Sequence, residues 1–265
     1  MSTLTCIETY LDKEKNYFGS FIIEPLESGQ GITLGNALRR TLLSDLTGFA
    51  VTGVRINNLK HEFATVPGIR EDVLEVLLNF KEVIFKSATF NKHQPCQIKQ
   101  KGYLKVRGPL VVTAGMLKLP NKILKIINPH QYLFTLVDTS EVYMEIDIEK
   151  GKGYRLSEEN RKNKFEKYIN PARPSTLFVD SIFLPVKRVN YKIKLIHDTQ
   201  GNIKESLNFE IITNGSITPR RCIQEGLKIL LNLFYPLFLS QGFSNISSKL
   251  IKKVTPLQQS KKTKE

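Results

Sequence analysis

The sequence predicts an α+β fold, in which both ends of the chain build one discontinuous domain and the middle forms an inserted, mostly β domain. A helix pattern follows the first strand pattern, a second helix pattern stands near the end, and short strand patterns dominate between them. The predicted boundaries are 1–52 plus 178–240 for the discontinuous domain and 53–177 for the insertion. Residues 241–265 are expected to form a basic, disordered tail.

The first helix is predicted over 34–46, after a strand at 16–23 and a glycine-containing turn. Thr33 is expected to cap its amino end, and Gly48 to end it. Residues at three- and four-residue spacing form one wide apolar face: Leu34, Ala37, Leu38, Thr41, Leu42 and Leu46. Leu43 projects from the opposite side. A helix that is apolar on two sides predicts packing against its own sheet and against another subunit.

The middle of the chain begins with a predicted strand at 50–57 and a second helix at 69–81. Glu71 and Asp72 are expected in the first turn of this helix and Lys81 at its end, as the helix dipole favours. Its apolar side is predicted to consist of Val73, Leu74, Leu77, Leu78 and Phe80. The alternating run 141–149 predicts a half-buried strand, and the polar, proline-containing segment 156–174 predicts a flexible loop.

Strands are predicted at 177–184, 186–196 and 206–213, before a last helix that starts with Thr218 as N-cap and Pro219 in its first turn. Pro236 is expected to kink or end this helix. It carries two apolar stripes, which are Ile223, Leu227, Leu230 and Phe234, and Cys222, Gly226, Ile229 and Leu233. Two helices with apolar residues on two sides favour a subunit interface over a buried monomer core.

Composition limits the class of protein. The chain has 265 residues, of which 41% are hydrophobic and 24% charged, as in ordinary globular proteins. No apolar run approaches the roughly 18 residues of a membrane-spanning helix. The net charge of +14 favours polyanionic surroundings, of which nucleic acid is the commonest.

Motifs for metal binding or catalysis are not recognisable in the sequence. Cys6, Cys96 and Cys222 are far apart and form no C-x-x-C pair, so we expect free thiols in a reducing compartment. The glycines in GQGITLG have the spacing G-x-G-x-x-x-G, which is neither the dinucleotide fingerprint nor a Walker loop. No carboxylate pair or nucleophile stands in a catalytic motif. The sequence predicts a binding protein with no cofactor of its own.

Long motifs stand in a fixed order: IEPLESGQGITLGNALRRTLLSDLTGFAVT, HEFATVPGIREDVLEVLLNFKE, GKGY, VDSIFLPVKRVNY and EIITNGSITPRRCIQEGLKILLNLF. Together they resemble the amino-terminal domain of the alpha subunit of bacterial-type, multi-subunit RNA polymerase. The resemblance covers about residues 17–239. KNYFGSF, FLPVKRVNY and LFYPLFL are similar to the plastid version. A location in the chloroplast stroma is therefore implied, or the bacterial cytoplasm if the source is not a plastid.

The resemblance implies a non-catalytic, homodimeric platform for the beta and beta-prime subunits, with the catalytic magnesium on another subunit. The helices then supply a dimer interface of Leu34, Leu38, Leu42, Leu43, Ile223, Leu227, Leu230 and Phe234. Positions that match beta binding are Arg40, His61, Glu62, Glu71 and Asp72, and those that match beta-prime binding are Glu75, Lys81 and Val179. Judged without the resemblance, Glu75 and Lys81 can equally be solvated helix charges and Val179 strand core. For Arg39 and Arg40 the residues alone favour solvated side chains on the helix face, and the alternative is that at least one of them binds a partner.

Bacterial alpha continues into a carboxyl-terminal DNA-binding domain, and the resemblance does not extend to such a domain in this chain. We therefore expect contact with DNA only indirectly, through the assembled polymerase, and no membrane or small-molecule partner. The alternative hypothesis is a freestanding basic nucleic-acid-binding protein, whose affinity for DNA or RNA would fall steeply with salt.

Overall fold

The computed structural model describes residues 2–56, 59, 61–87, 99–120, 123–165, 176–197 and 201–240. These segments form helices and mostly antiparallel sheets, so the predicted α+β class is confirmed. The predicted tail 241–265 and Cys96 lie outside the described residues.

The first sheet combines strands from both ends of the chain. Its four strands are antiparallel in the order β1-β2-β14-β13. The strands are β1 (Thr3–Leu11), β2 (Tyr17–Leu26), β13 (Val186–His197) and β14 (Ile203–Thr213). Helix α1 (Gln30–Ser44) packs on β13 and β14, and α4 (Pro219–Ser240) packs on β2, β14 and α1. These two helices cover one face of the sheet, which we call its helix side.

The second sheet belongs to the middle of the chain. Its four strands have the order β11-β3-β9-β5. They are β3 (Thr47–Ile56), β5 (Lys99–Arg107), β9 (Glu141–Lys152) and β11 (Leu177–Phe178). Around it lie α2 (Val73–Lys81), α3 (Ser157–Phe165) and the short strand pairs β4 (Phe85–Ser87) with β7 (Leu124–Ile126), β6 (Leu110–Thr113) with β8 (Tyr132–Leu136), and β10 (Tyr154–Arg155) with β12 (Ser181–Ile182).

Two hydrophobic cores follow this division. One is built from residues 21–46 and 186–223, and the other from residues 51–179. The buried face predicted from the alternation along β9 is confirmed, because Val142, Met144, Ile146 and Ile148 are all buried. The exact domain boundaries 1–52 plus 178–240 and 53–177 remain a prediction.

Both predicted ends of α1 are wrong. The helix begins at Gln30 after Gly29, whose φ of 82° is left-handed. Thr33 therefore lies inside the helix, where its hydroxyl donates to the Gly29 carbonyl at 3.1 Å. Gly48 lies in β3 rather than at a helix end. There the missing side chain allows the Phe183 carbonyl oxygen to approach the Gly48 backbone closely.

The predictions for the other helices also need correction. Because α2 begins at Val73, Glu71 and Asp72 precede its first turn, and Leu74 and Leu78 point to solvent while Val76 is buried. Part of the predicted loop 156–174 is the helix α3, and its remainder from 166 lies outside the described residues. Helix α4 continues through Pro236 to Ser240, so Pro236 does not end the helix, and a kink there remains a prediction. The predicted strand 177–184 is divided into β11 and β12.

Candidate subunit interfaces

The first half of α4 packs in the core that is built from residues 21–46 and 186–223. Cys222 and Ile223 are fully buried. Gly226 faces α1 so closely that a Cβ atom there would lie 2.9 Å from Leu42 Cδ2. Burial raises the pKa of the Cys222 thiol to about 12, so this thiol stays protonated and unreactive at neutral pH. This half of the helix is structural.

The second half of α4 has an entirely different environment. Leu231, Leu233, Phe234 and Tyr235 are all more than half exposed, with Leu231 at 68% and Phe234 at 59%. The run from Leu231 to Phe238, LNLFYPLF, contains no charged residue. An uncharged helical surface with this many exposed large side chains is typical of a protein–protein contact.

The structure divides the eight sequence-predicted dimer residues into three groups. Leu38, Leu42 and Ile223 have no exposed surface. They pack in the core of their own chain and cannot touch a partner in this conformation. Leu34, Leu43, Leu227 and Leu230 are partly buried against the same core. Leu43 therefore packs with the other apolar residues of α1, although the sequence placed it on the opposite side. Phe234 alone among the eight is mostly exposed.

Helix α1 is held at its amino end by a carboxylate that sequence analysis missed. Glu205 of β14 is buried and accepts hydrogen bonds from the backbone N–H groups of Gly29 and Gly31, both at 2.8 Å. The carboxylate thus satisfies free amides at the positive end of the helix dipole. Because Glu205 lies far from α1 in sequence, no local capping pattern could reveal it.

Adjacent arginines on α1 have separate roles. The Arg39 guanidinium donates to the backbone carbonyl of Val189 in β13, so Arg39 fastens the helix to its own sheet. The Arg40 side chain is exposed and has no hydrogen bond or ion pair within the described part of the chain. Of the two, Arg40 is the one available to a partner.

The loop before α2 is fastened to β8 by Glu71. One Glu71 oxygen accepts from the Tyr132 hydroxyl and from Arg70 Nε at 3.1 Å, and the other accepts from the Thr135 N–H at 2.7 Å. Although burial would raise the pKa of Glu71, these hydrogen bonds hold it below its ordinary value. The side chain is only 7% exposed. Glu71 is therefore a positioning residue for the loop and is not free to bind a partner.

Three other sequence-predicted residues of this region, His61, Glu62 and Asp72, are exposed. Sequence analysis missed Phe63, which is 81% exposed between them. An exposed aromatic side chain beside charged residues in a fastened loop has the composition of an interface anchor. A phenylalanine directly after the polar pair His61 and Glu62, in a segment with no helix or strand pattern, was the signal that could have identified it.

A third cluster surrounds the carboxyl end of α2. Lys81 Nζ lies 3.6 Å from Asp180 Oδ2 and 5.3 Å from the centre of the Tyr154 ring, and the Tyr154 hydroxyl donates to Asp180 at 2.8 Å. Burial would raise the pKa of Asp180, but hydrogen bonds from Ser157 N–H and Tyr154 together with Lys81 lower it. Glu75 is exposed on the same helix. Val179 is buried in the core and cannot contact a partner directly.

Within the described residues, no group of three or more His, Cys, Asp or Glu side chains could hold a metal ion. The same part of the chain contains no helix that is both long and apolar enough to cross a membrane. The exposed half of α4, the exposed Arg40 side chain, the loop before α2 and the cluster around Lys81 are therefore considered as separate candidate contact surfaces.

Comparison with known proteins identifies the family of this chain. Residues 54–184 match the family described as the RNA polymerase Rpb3/RpoA insert domain. The DNA-directed RNA polymerase subunit alpha of Pyropia yezoensis is 47% identical over 231 residues, which cover 87% of this chain and 69% of that protein. This chain belongs to the family of DNA-directed RNA polymerase alpha subunits.

Other alpha subunits are similar over the same extent. That of Trichormus variabilis is 43% identical over 234 residues, which cover 88% of this chain and 70% of the relative. That of Cyanophora paradoxa is 43% identical over 242 residues, which cover 91% and 71%. The relatives include plastid-encoded and cyanobacterial alpha subunits, so a plastid or a bacterial cytoplasm fits this chain.

Proposed function

We propose that this chain is a non-catalytic scaffold of a plastid RNA polymerase, which forms a homodimer and binds the beta and beta-prime subunits in the chloroplast stroma. The observation that carries the proposal is the uncharged second half of α4, whose large apolar side chains are exposed in the single chain. An exposed apolar surface of this kind is typical of a protein–protein contact. Family membership supports a partner within RNA polymerase.

The proposed contact with the beta subunit contains Arg40, His61, Glu62 and Asp72, with Phe63 as its aromatic anchor. Arg40 is exposed and its side chain has no partner in the described part of the chain, and arginine and aromatic residues dominate interface hot spots. Glu71 takes part indirectly, because it fixes the loop that presents the other side chains.

The proposed contact with beta-prime lies along α2. Leu74, Leu78 and Lys81 are four and three residues apart, so they form one row on the outside of the helix, with Glu75 beside them. The row ends at the Lys81–Asp180–Tyr154 cluster, which holds Lys81 in place. Val179 supports this face from the core.

This role needs no active site on the chain. The proposed dimer presents two copies of each surface, and the two large subunits occupy different copies. The catalytic magnesium is proposed to belong to another subunit, and DNA is contacted through the assembled enzyme. No small molecule or membrane takes part.

The decisive experiment is light scattering on the purified chain, alone and mixed with the beta subunit. The proposal expects the mass of a dimer, and then of a dimer carrying one beta subunit. A stable monomer that ignores beta would overturn it, and tight salt-sensitive DNA binding by that monomer would favour the nucleic-acid-binding alternative.

The role of Arg40 is tested separately by capture of the beta subunit on the immobilised dimer. Arg40→Ala is expected to weaken capture by tenfold or more and to leave the dimer intact. Arg220→Ala removes another exposed arginine, at the start of α4, and serves as the matched control. Equal capture by both variants would remove Arg40 from the interface.

A further inference from the structure

The edge strand β5 carries a row of cations on the face of the second sheet that points away from the core, which we call the outer face. Leu104 is completely buried in the core, so the odd-numbered side chains of β5 point outward. They are Lys99, Lys101, Tyr103, Lys105 and Arg107. Successive members are on the order of 7 Å apart, because they occupy alternate positions of a strand. An extended polyanion can follow such a row.

Two tyrosines lie within this row of cations. The centres of the Tyr103 and Tyr143 rings are 6.4 Å apart, with 23° between the ring planes, and both side chains are partly exposed. Lys118 exchanges both backbone hydrogen bonds with Tyr103, at 2.9 and 2.8 Å, so its exposed side chain shares the outer face. Stacked aromatic rings beside exposed cations are the combination that binds single-stranded nucleic acids.

The carboxylates in the middle of the outer face are already held by arginines. Arg55 donates to Glu145 at 2.7 Å and to Asp147 at 2.8 Å, and Arg155 donates to Glu149 at 3.2 Å. The Asp147 and Glu149 side chains are only 12% and 10% exposed. These negative charges therefore lie low on the face and are compensated.

The lysines of the row reach farther into the solvent. Lys99 and Lys105 are 57% and 66% exposed, although each has a carboxylate partner. The exposed Glu141 stands at the end of the row and is paired with Lys105 at 2.7 Å. Lys101 and Lys118 are exposed and form no ion pair with any residue that the structure describes. A ligand that approaches the Tyr103 region from solvent consequently meets positive charge first.

Protection of the sheet edge does not explain this composition. Charged side chains commonly keep an edge strand from pairing with other proteins, and β13 of the first sheet has such residues. The side chains of β13 on the face away from its core are Arg188, Asn190, Lys192, Lys194 and Ile196. That row contains no aromatic residue, and edge protection needs none. The tyrosine pair therefore distinguishes β5 and β9 from a merely protected edge.

We propose that the outer face of the second sheet binds a single strand of RNA, with bases stacked on Tyr103 and Tyr143 and phosphates at Lys101 and Lys118. Every base has a face that can stack on a tyrosine, so this binding is independent of sequence. Among polyanions RNA is favoured, because the chain belongs to a family of RNA polymerase subunits and the product of that enzyme is a single strand of RNA. The site lies in the inserted core and does not depend on the proposed dimer.

Fluorescence anisotropy tests the cations with the full-length chain and a labelled oligouridylate of about twelve nucleotides. Replacing Lys101 and Lys118 together by alanine should weaken binding at least tenfold. It should also reduce the salt slope by about 1.4, because each phosphate contact on a single strand contributes about 0.7. The matched control replaces Lys192 and Lys194 of β13 by alanine and should stay within about twofold, with an unchanged slope. Equal losses in the two double variants would show a response to net charge alone and overturn the site.

Replacements of Tyr103 test the stacking. Tyr103→Phe keeps the ring and should bind within about twofold of the parent chain. Tyr103→Leu should lose at least fivefold in affinity at an unchanged salt slope, since it removes a ring and no charge. Equal affinities of Tyr103→Leu and Tyr103→Phe would contradict a stacking platform.

Photocross-linking in the assembled polymerase needs no variant and identifies the source of the strand. 4-Thiouridine in the transcript is expected to cross-link to a β5 or β9 peptide, which mass spectrometry can locate, whereas 4-thiothymidine in either DNA strand should not. Cross-links from DNA alone would assign the face to DNA, and cross-links from neither would overturn the proposal. A monomeric chain that still binds RNA through Tyr103 would overturn the proposed dimer and leave this site intact.

Discussion

Replacement of Glu205 by glutamine should loosen the amino end of α1. The carboxylate accepts two backbone N–H groups at 2.8 Å in a buried position, at the positive end of the helix. Hydrogen bonds to a charged group contribute about 1.5–3 kcal/mol each, and a helix cap about 0.5–2 kcal/mol. The glutamine oxygen can still accept one hydrogen bond. We therefore expect the free energy of unfolding to fall by roughly 1–2 kcal/mol for Glu205→Gln and by about 2–4 kcal/mol for Glu205→Ala.

Urea denaturation at one protein concentration measures these losses, and amide hydrogen exchange over residues 29–34 locates them. Glu210→Gln is the matched control, because Glu210 lies on the opposite face of the same strand and is only partly buried. If Glu205→Gln and Glu210→Gln have equal midpoints and equal exchange at the start of α1, the capping role is refuted.

Three further predictions follow from single residues. Gly48→Ala should lower the free energy of unfolding by about 2–4 kcal/mol, because the added Cβ would collide with the Phe183 carbonyl. A loss below about 0.5 kcal/mol in denaturation experiments would contradict this packing. The contribution of Glu71 to the free energy of unfolding should be complete above the ordinary pKa of 4.5 and disappear as the pH falls through the lowered pKa of the folded state. The difference in unfolding free energy between the parent chain and Glu71→Gln, measured by urea denaturation, should therefore decrease as the pH is lowered. A difference that stays constant with pH would contradict this contribution. In the Cys96→Ser chain at pH 8, maleimide should label Cys6 rapidly and Cys222 only on unfolding, as mass spectrometry can show.

Elements with a strong local pattern were predictable from the sequence. The strict alternation of β9 identified its buried face, and Thr218-Pro219 marked the start of α4 correctly. The start of α1 was missed because its amides are satisfied by Glu205, which comes from another part of the chain. Helix α3 was missed because its buried contact is polar: Asn160 donates to the Val179 carbonyl and to Ser181.

At the candidate interfaces too, local sequence patterns were informative, but contacts between distant parts of the chain could not be predicted. Apolar spacing identified the helices that carry the exposed surface, but it could not separate Leu38, which is buried, from Phe234, which is exposed. Charge patterns could not show that Arg39 and Glu71 have partners within their own chain, whereas the Arg40 side chain has none among the described residues. Only the packing of distant strands supplies that information.

The core beneath α1 and α4 is assembled from stretches of chain that a ribosome makes at different times. Residues 21–46 emerge early, yet their partners in 186–223 emerge only after the whole second core has been synthesised. At about 5–20 residues per second, the delay is on the order of ten seconds. During that interval the apolar face of α1 has no complete sheet to pack on. The second core is therefore completely synthesised before the core beneath α1 can be completed.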